Sequence, residues 1–175
     1  MLTLDNTRLR PVKSEDADKF IIWMNDPKIT ENLVCTKPIT LTEEQKWINS
    51  LETNNSEVVF TIESIEQEGD IVIGSTGLHK INWINHSATF GIVIGRSEYW
   101  SKGYGSRVLK LVLEYGFNSL NLHRIESSVY SFNEKSINLH KKFFQQEGIK
   151  REAVYKNGKY HDVVYFGLLR KNYKV

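Results

Sequence analysis

Trp100-Ser101-Lys102-Gly103-Tyr104-Gly105 lies between an apolar run, Ala88 to Ile94, and a helix-like stretch, Ser106 to Leu120. A glycine-rich turn that leaves a strand and opens a helix lets backbone N–H groups converge on an anion, because glycine has no Cβ to block the approach or forbid positive φ. Glycine also serves such turns as a simple bend, so the turn alone leaves phosphate binding and bending both open.

Toward the N-terminus, three strand candidates precede the turn: Val58 to Glu63, Ile71 to Leu78 and Ala88 to Ile94. Turn-type residues at Gln67 to Asp70 and Asn82 to Ser87 connect them, which predicts an antiparallel meander. Arg8 to Val12 reads as a further strand. A helix follows with Ser14 as its cap and Glu15, Asp16 and Asp18 in its first turn, and Pro27 ends it. The spacing Thr42-Glu43-Glu44-Gln45 predicts a capping box, with Trp47, Ile48 and Leu51 as the apolar stripe of the second helix.

Beyond the turn, Ser106 to Leu120 carries apolar residues on more than one face, as a helix packed on both sides would. Arg124 to Tyr130 is the next strand, Asn133 caps a helix to about Phe144, and Ala153 to Lys156 with Val163 to Leu169 flank the turn Asn157-Gly158-Lys159. The order β, α, α, β, β, β, α, β, α, β, β predicts a mixed, mainly antiparallel α/β sheet of about seven strands with helices on both faces.

With 175 residues, 40% hydrophobic and 25% charged, the chain is expected to form a single domain over residues 1–175 and to be neither disordered nor fibrous. Met1 to Lys13 lacks an apolar h-region and the apolar runs are too short to span a bilayer, so a soluble, unprocessed cytoplasmic protein without membrane contact is expected. A single cysteine, Cys35, excludes an internal disulfide and a cysteine-based metal cluster, and no metal is expected. Charge is unevenly placed: up to Phe90 there are 14 Asp/Glu against 8 Lys/Arg, and beyond it 7 against 15. The basic half suits an anionic ligand such as a phosphorylated cofactor and the acidic half a cationic substrate, although charges spread over solvated faces would count the same. Nucleic acid is disfavoured, since the basic residues are scattered and lack a dense patch interleaved with aromatics.

Three passages carry a resemblance. They are Tyr99 to Gly105; Asn133-Glu134-Lys135-Ser136-Ile137-Asn138-Leu139-His140; and the tail Arg151-Glu152-Ala153, Lys156 to Tyr160, Asp162 and Gly167-Leu168-Leu169. Together they resemble the GCN5-related N-acetyltransferase superfamily, and within it the Rim-type ribosomal-protein and polyamine acetyltransferase branch. With Trp23, Asn25, Asp26 and Trp47, the resemblance spans nearly the whole chain. It implies a V-shaped splay between the fourth and fifth strands, Ala88 to Ile94 and Arg124 to Tyr130, that holds acetyl-CoA as co-substrate. Pantetheine would bond the backbone of Ile92, Val93 and Ile94. The pyrophosphate would sit on N–H groups of Lys102, Gly103, Tyr104, Gly105 and Ser106, with Asn133 capping the following helix and open to a further bond.

The implied activity is acetyl-CoA-dependent N-acetyltransfer to a primary amine, on a protein N-terminus, a polyamine or an amino sugar, by direct attack in a ternary complex. An ammonium ion must lose its proton to attack, the thioester oxygen needs a donor, and the departing thiolate benefits from an acid. His140 stands where family members commonly place a tyrosine acid and is the candidate general acid. Thr89 stands where relatives often carry a glutamate base, so the proton's route is open among Glu98, Asp162, His79 and His86 acting through water, and direct loss to solvent. Trp23, Asn25, Asp26 and Glu31, with Trp83 across from them, are the candidate substrate residues. A non-catalytic acyl-CoA-binding or interaction module of the same fold is the alternative, and a homodimer is among the associations left open.

Overall fold

The computed structural model describes residues 1–34 and 37–174, so Cys35 lies outside the described residues. Among the described residues one sheet holds eight strands: β1 (Leu2–Leu4), β2 (Thr7–Pro11), β3 (Val58–Ser64), β4 (Ile71–Asn82), β5 (Ser87–Ile94), β6 (Arg124–Tyr130), β7 (Gln145–Lys156) and β8 (Lys159–Leu169). Their spatial order is β1-β2-β3-β4-β5-β6-β8-β7. Every neighbouring pair is antiparallel except β5 and β6, which run parallel. The strand beyond the expected seven is β1, three residues too short to show a period of two in sequence.

The helices are α1 (Ala17–Met24), α2 (Pro27–Thr30), α3 (Leu41–Ser50), α4 (Tyr104–Glu114) and α5 (Glu134–His140). Several expected boundaries move, among them the first cap, since Ser14 opens a 3-10 turn and α1 follows Asp16. Pro27 does not merely end a helix; it opens α2, where its missing N–H costs nothing, with Asp26 Oδ1 accepting the Lys28 N–H at 2.9 Å. The capping box expected at Thr42 forms at Thr40 instead. Glu43 is three residues on, so Thr40 Oγ1 accepts its N–H at 3.2 Å while Glu43 Oε2 accepts the Thr40 N–H at 2.9 Å. After Glu114 the long central helix widens into a π turn, Tyr115–Ser119. Finally, α5 stops at His140, not near Phe144, because β7 starts at Gln145 to pair with β8.

Alternation sets the core. In β6, Ile125, Ser127 and Val129 are buried while Glu126 and Ser128 are exposed. On one side of the sheet α4 buries Val108, Leu109, Leu111, Val112 and Leu113 against Leu78, Phe90 and Ile125. On the other, Phe20, Trp23, Ile29 and Ile48 cluster over Val72. A buried ionic group ties α1's entry to the sheet: Arg10 donates from both terminal nitrogens to Asp16, at 2.7 and 2.8 Å, and from Nε to Glu63 at 2.6 Å. Burial pushes the Asp16 carboxyl up, but the Arg10 fork, the Lys13 N–H and the Thr61 hydroxyl outweigh it and hold the carboxyl below its ordinary value. No helix among the described residues is long and apolar enough to cross a membrane.

Candidate functional site

The parallel strands share register only over Ser87–Arg124, Ala88–Ile125 and Thr89–Glu126, then diverge. From Phe90 to Ile94 the β5 backbone keeps its pairing with β4 but has no strand partner on its β6 side among the described residues. Side chains take the carbonyls at its two ends, Ser127 at Phe90 and Trp100 at Ile94, and the backbone groups between them on that side form a polar edge for an extended ligand. A cleft of about 1150 Å³ occupies the splay, lined by Gly91 to Ile94, by Ser101, Gly103 and Ser106 at one end, and by Trp23, Glu44 and Trp47 at the other.

At the first end, Gly103 has φ +85°, and Ser101, at φ +60°, also occupies the left-handed region. Residues alternating between left- and right-handed conformations turn successive N–H groups toward one point. The N–H groups of Ser106 and Arg107 close on the Gly103 carbonyl at 3.1 and 3.2 Å, so the helix ladder begins there. The donors of Tyr104 and Gly105, ahead of the ladder, are the orphan donors of the α4 N-terminus. Arg107 braces the turn from beneath, donating Nε–H to Thr7 Oγ1 at 2.7 Å with its guanidinium 4.5 Å from the centre of the Tyr104 ring. Trp100 Nε1 donates to the Ile94 carbonyl at 2.8 Å, locking the turn to the end of β5. The turn and the open β5 edge fit a pyrophosphate joined to a pantetheine arm.

The expected cofactor residues divide. Ile92, Val93, Ile94, Gly103, Gly105, Ser106 and Asn133 line the cleft. Asn133 is the cap of α5, its Oδ1 accepting the Ser136 N–H at 3.1 Å. Tyr104 turns its side chain away: the hydroxyl lies 2.5 Å from Ser64 Oγ and 2.7 Å from Asn6 Nδ2, leaving only its backbone for a ligand. Lys102 does not line the cleft; its Nζ lies over the Tyr99 ring at 5.6 Å. Lys135 lines the cleft in its place, 5.7 Å from the centre of the Trp100 ring.

His140 lines the cleft but is only 2% exposed, packed among Phe90, Phe144 and Phe166. Its Nδ1 is 2.7 Å from the Ser136 carbonyl, which only accepts, so Nδ1 bears the proton. Nε2 then accepts from Ser127 Oγ at 3.0 Å, and that oxygen lies 3.3 Å from the Phe90 carbonyl. Burial lowers the imidazole pKa against the opposing pull of the Ser136 carbonyl. A neutral ring so engaged has both nitrogens bonded within the fold, which speaks against the expected role as general acid. The His140–Ser127 pair instead braces the point where β5 and β6 part.

On the acceptor side, Trp23 is 8% exposed, part of the Phe20–Ile48 cluster and also of the cleft wall. The other expected substrate residues lie outside the cleft and have local work. Asn25 clamps the chain before α3, donating to the Ile39 carbonyl and accepting its N–H, both at 2.8 Å. Asp26 caps α2, and Glu31 accepts from Asn157 Nδ2 at 3.0 Å. Trp83 sits in the β4–β5 turn, its Nε1 donating to the Asn55 carbonyl at 2.9 Å. Glu98, the candidate base, is exposed and 3.5 Å from Arg96. Like those residues, Asp162 and His86 do not line the cleft, whereas His79 does.

Two acidic residues went unrecognised in sequence. Glu44 is 6% exposed on the cleft wall, and burial raises its carboxyl pKa. The spacing 44, 47, 48 puts it on the apolar face of α3, and that spacing could have found it. Glu57, just before β3, faces His79 Nδ1 at 3.7 Å, and no motif links the two across β3 and β4.

Residues 6–143 match the family model described as acetyltransferase (GNAT) domain. The N-acetyltransferase p20 of Bacillus licheniformis is 35% identical over 177 residues, covering 98% of this chain and 97% of the relative. Spermidine N(1)-acetyltransferase of Vibrio cholerae is 34% identical over 121 residues, 69% of this chain and 68% of its own. The crystal structure of the Vibrio cholerae spermidine N-acetyltransferase in complex with CoA and spermine superposes with a TM-score of 0.87 at 28% identity, over 95% of this chain and 97% of that one.

Proposed function

Because this chain belongs to the GNAT acetyltransferase family and is an acetyl-CoA-dependent N-acetyltransferase, we propose that its acceptor is a small polycationic amine of the polyamine class. The observation that carries this reading is Glu44, a nearly buried carboxylate on the wall of the same cleft that holds the open β5 edge. A carboxyl whose pKa is raised by burial regains its charge most readily beside a cation, so a multiply charged amine has a partner there away from the reacting end. Trp47 and Trp23 on the same wall offer aromatic surface to an alkyl ammonium chain. The similar Vibrio cholerae protein, crystallised with CoA and spermine, supports the same acceptor class.

In this reading the backbone of Ile92 to Ile94 holds pantetheine, the turn from Lys102 to Gly105 holds the pyrophosphate through its N–H groups with Ser106 beside it, and Lys135 adds positive charge nearby. Acetyl-CoA supplies the activated acyl group. The chain's own part is to align the amine with it, exclude water, and receive the proton that the ammonium must lose.

An amine panel followed by thiol release tests the assignment. Polyamines should give the highest kcat/KM, ahead of amino sugars and peptides with a free N-terminus. A peptide or amino sugar turned over faster than any polyamine would replace the assignment.

A further inference from the structure

We infer that His79 is the general base of the acetyl transfer and that Glu57 is the residue that positions it. The inference rests on N-acetyltransfer in this cleft and does not depend on which amine is the acceptor.

The argument starts from β4. Its register with β5 shifts between His79 and Asn82, and Lys80 takes φ +51°. A bulge of this kind re-aims the side chains beside it. His79 pairs directly with Thr89, so both side chains stand on one face of the sheet. His79 therefore stands next to the position from which the resemblance led a glutamate base to be expected and where threonine cannot serve.

Two glycines make room for the ring. A β-carbon on Gly77 or on Gly91 would come within 3.3 Å of His79 Nε2. The imidazole thus lies along the strand pair over two residues without side chains, and it lines the cleft beside the β5 edge. Among the described residues neither ring nitrogen makes a hydrogen bond, so Nε2 is available to an incoming N–H.

Behind the ring, Glu57 Oε2 lies 3.7 Å from Nδ1 and is a buried oxygen without a hydrogen-bond partner among the described residues. A buried carboxylate oxygen with no donor is costly unless function retains it. Here it faces the one nitrogen that must bear the proton if Nε2 is to act as base. The distance is that of an ion pair, and it shortens to a hydrogen bond when the ring becomes charged. Burial lowers the His79 pKa, opposed by Glu57 and reinforced by Lys80, which keeps the ring neutral near pH 7.

The step balances without another reagent. The ammonium N–H bond breaks and its proton passes to His79 Nε2. The freed lone pair forms the N–C bond to the thioester carbonyl carbon, and the C–S bond breaks. The thiolate takes the second proton shed by nitrogen, and the imidazolium returns its own to solvent. Glu57 offsets the transient positive charge on the ring.

Charged groups that face or share this space are Glu57 before β3, Lys80 on β4, Glu126 on β6, which shares the sheet face through Thr89, and Glu44 on α3. Their combined influence is read from pH profiles of His79→Gln, Glu57→Gln and Glu57→Asp in the full chain, with any amine the wild type acetylates. His79→Gln should lower kcat/KM by about 10²- to 10⁴-fold, remove a rising limb that lies on the acid side of the ordinary imidazole range, and leave the acetyl-CoA Kd unchanged. An acceptor whose amine is already neutral at the assay pH should restore most of that loss, because it needs no base. Glu57→Gln should move the limb and the His79 NMR titration midpoint to lower pH, and Glu57→Asp should move them part of the way back. Wild-type kcat/KM in folded His79→Gln, or an equal loss for neutral and charged acceptors, overturns the assignment. A His79 midpoint unmoved in Glu57→Gln overturns the role of Glu57. Should polyamines prove poor substrates while another amine is turned over, the acceptor proposal fails and the His79 experiment proceeds with that amine.

Discussion

The ring of Trp23 covers Gly95 so closely that a β-carbon on the glycine would fall 1.9 Å from Trp23 Cδ2. The end of β5 and the wall of the acceptor cleft are therefore one packed unit. Gly95→Ala must push the indole aside, costing about 1–3 kcal/mol as overpacking does. The displaced ring should also raise KM for the amine several-fold, with the acetyl-CoA Kd little changed; denaturant melts and steady-state kinetics read the two effects.

Gly103 is held at φ +85°, and a β-carbon there would meet Arg107 Nη1 at 2.8 Å. Gly103→Ala should weaken acetyl-CoA binding modestly through backbone strain of about 1 kcal/mol. Gly103→Glu, which also brings negative charge to the phosphate turn, should abolish it. Calorimetric titration with acetyl-CoA is the measurement, and unchanged affinity in Gly103→Glu would remove the turn from the cofactor site.

Replacing His140 by Phe removes the ring's bonds to the Ser136 carbonyl and to the Ser127 hydroxyl, which keeps the Phe90 carbonyl as a partner, a loss of about 1 kcal/mol for each bond. The expected result is a lower Tm with no change in the shape of the kcat–pH profile. Loss of a descending limb at unchanged Tm would return His140 to the role of acid.

Asp16, fully buried, carries a pKa held below its unfolded value, which is near 3.8. A depressed carboxyl stabilises the fold fully above the unfolded value, and the contribution disappears as pH falls through the folded one. Asp16→Asn leaves Arg10 charged, buried and poorly paired, at a cost of about 3–5 kcal/mol. Urea melts across pH should show the mutant-to-wild-type gap constant near neutrality and closing on acidification below about pH 4.

Glu44→Gln should raise KM for polyamines by about tenfold, the value of one charge-assisted contact, and leave KM for a monoamine nearly unchanged. An equal effect on both would place Glu44 outside acceptor recognition.

Much of the site was legible in the chain because local chemistry writes it locally. The turn from Trp100 to Gly105 needs glycine at positive φ, and Asn133 needs its carboxamide at a helix start; both signals lie within a few residues of the groups they serve. The acceptor side was read less well. Asn25, Asp26 and Trp83 looked free for a substrate, yet each completes a cap, a clamp or a turn with backbone close by or, for Trp83, with Asn55. Polar side chains near a loop are drawn to unsatisfied backbone groups first, and composition does not reveal which are already engaged.

By itself the sequence determined the family, most strands and helices in their order, and the place of the glycine turn ahead of α4, since periodicity, caps and glycines act over short spans. Only the tertiary structure decided which histidine has both ring nitrogens engaged and which leaves one open to the cleft. His140 occupies the position suggested by motif, but packing among three phenylalanines and two hydrogen bonds engage it. His79 belongs to no motif, yet strand register sets it beside Thr89, two glycines give its ring space, and Glu57 stands behind it. Availability of a lone pair depends on neighbours that folding brings from distant parts of the chain.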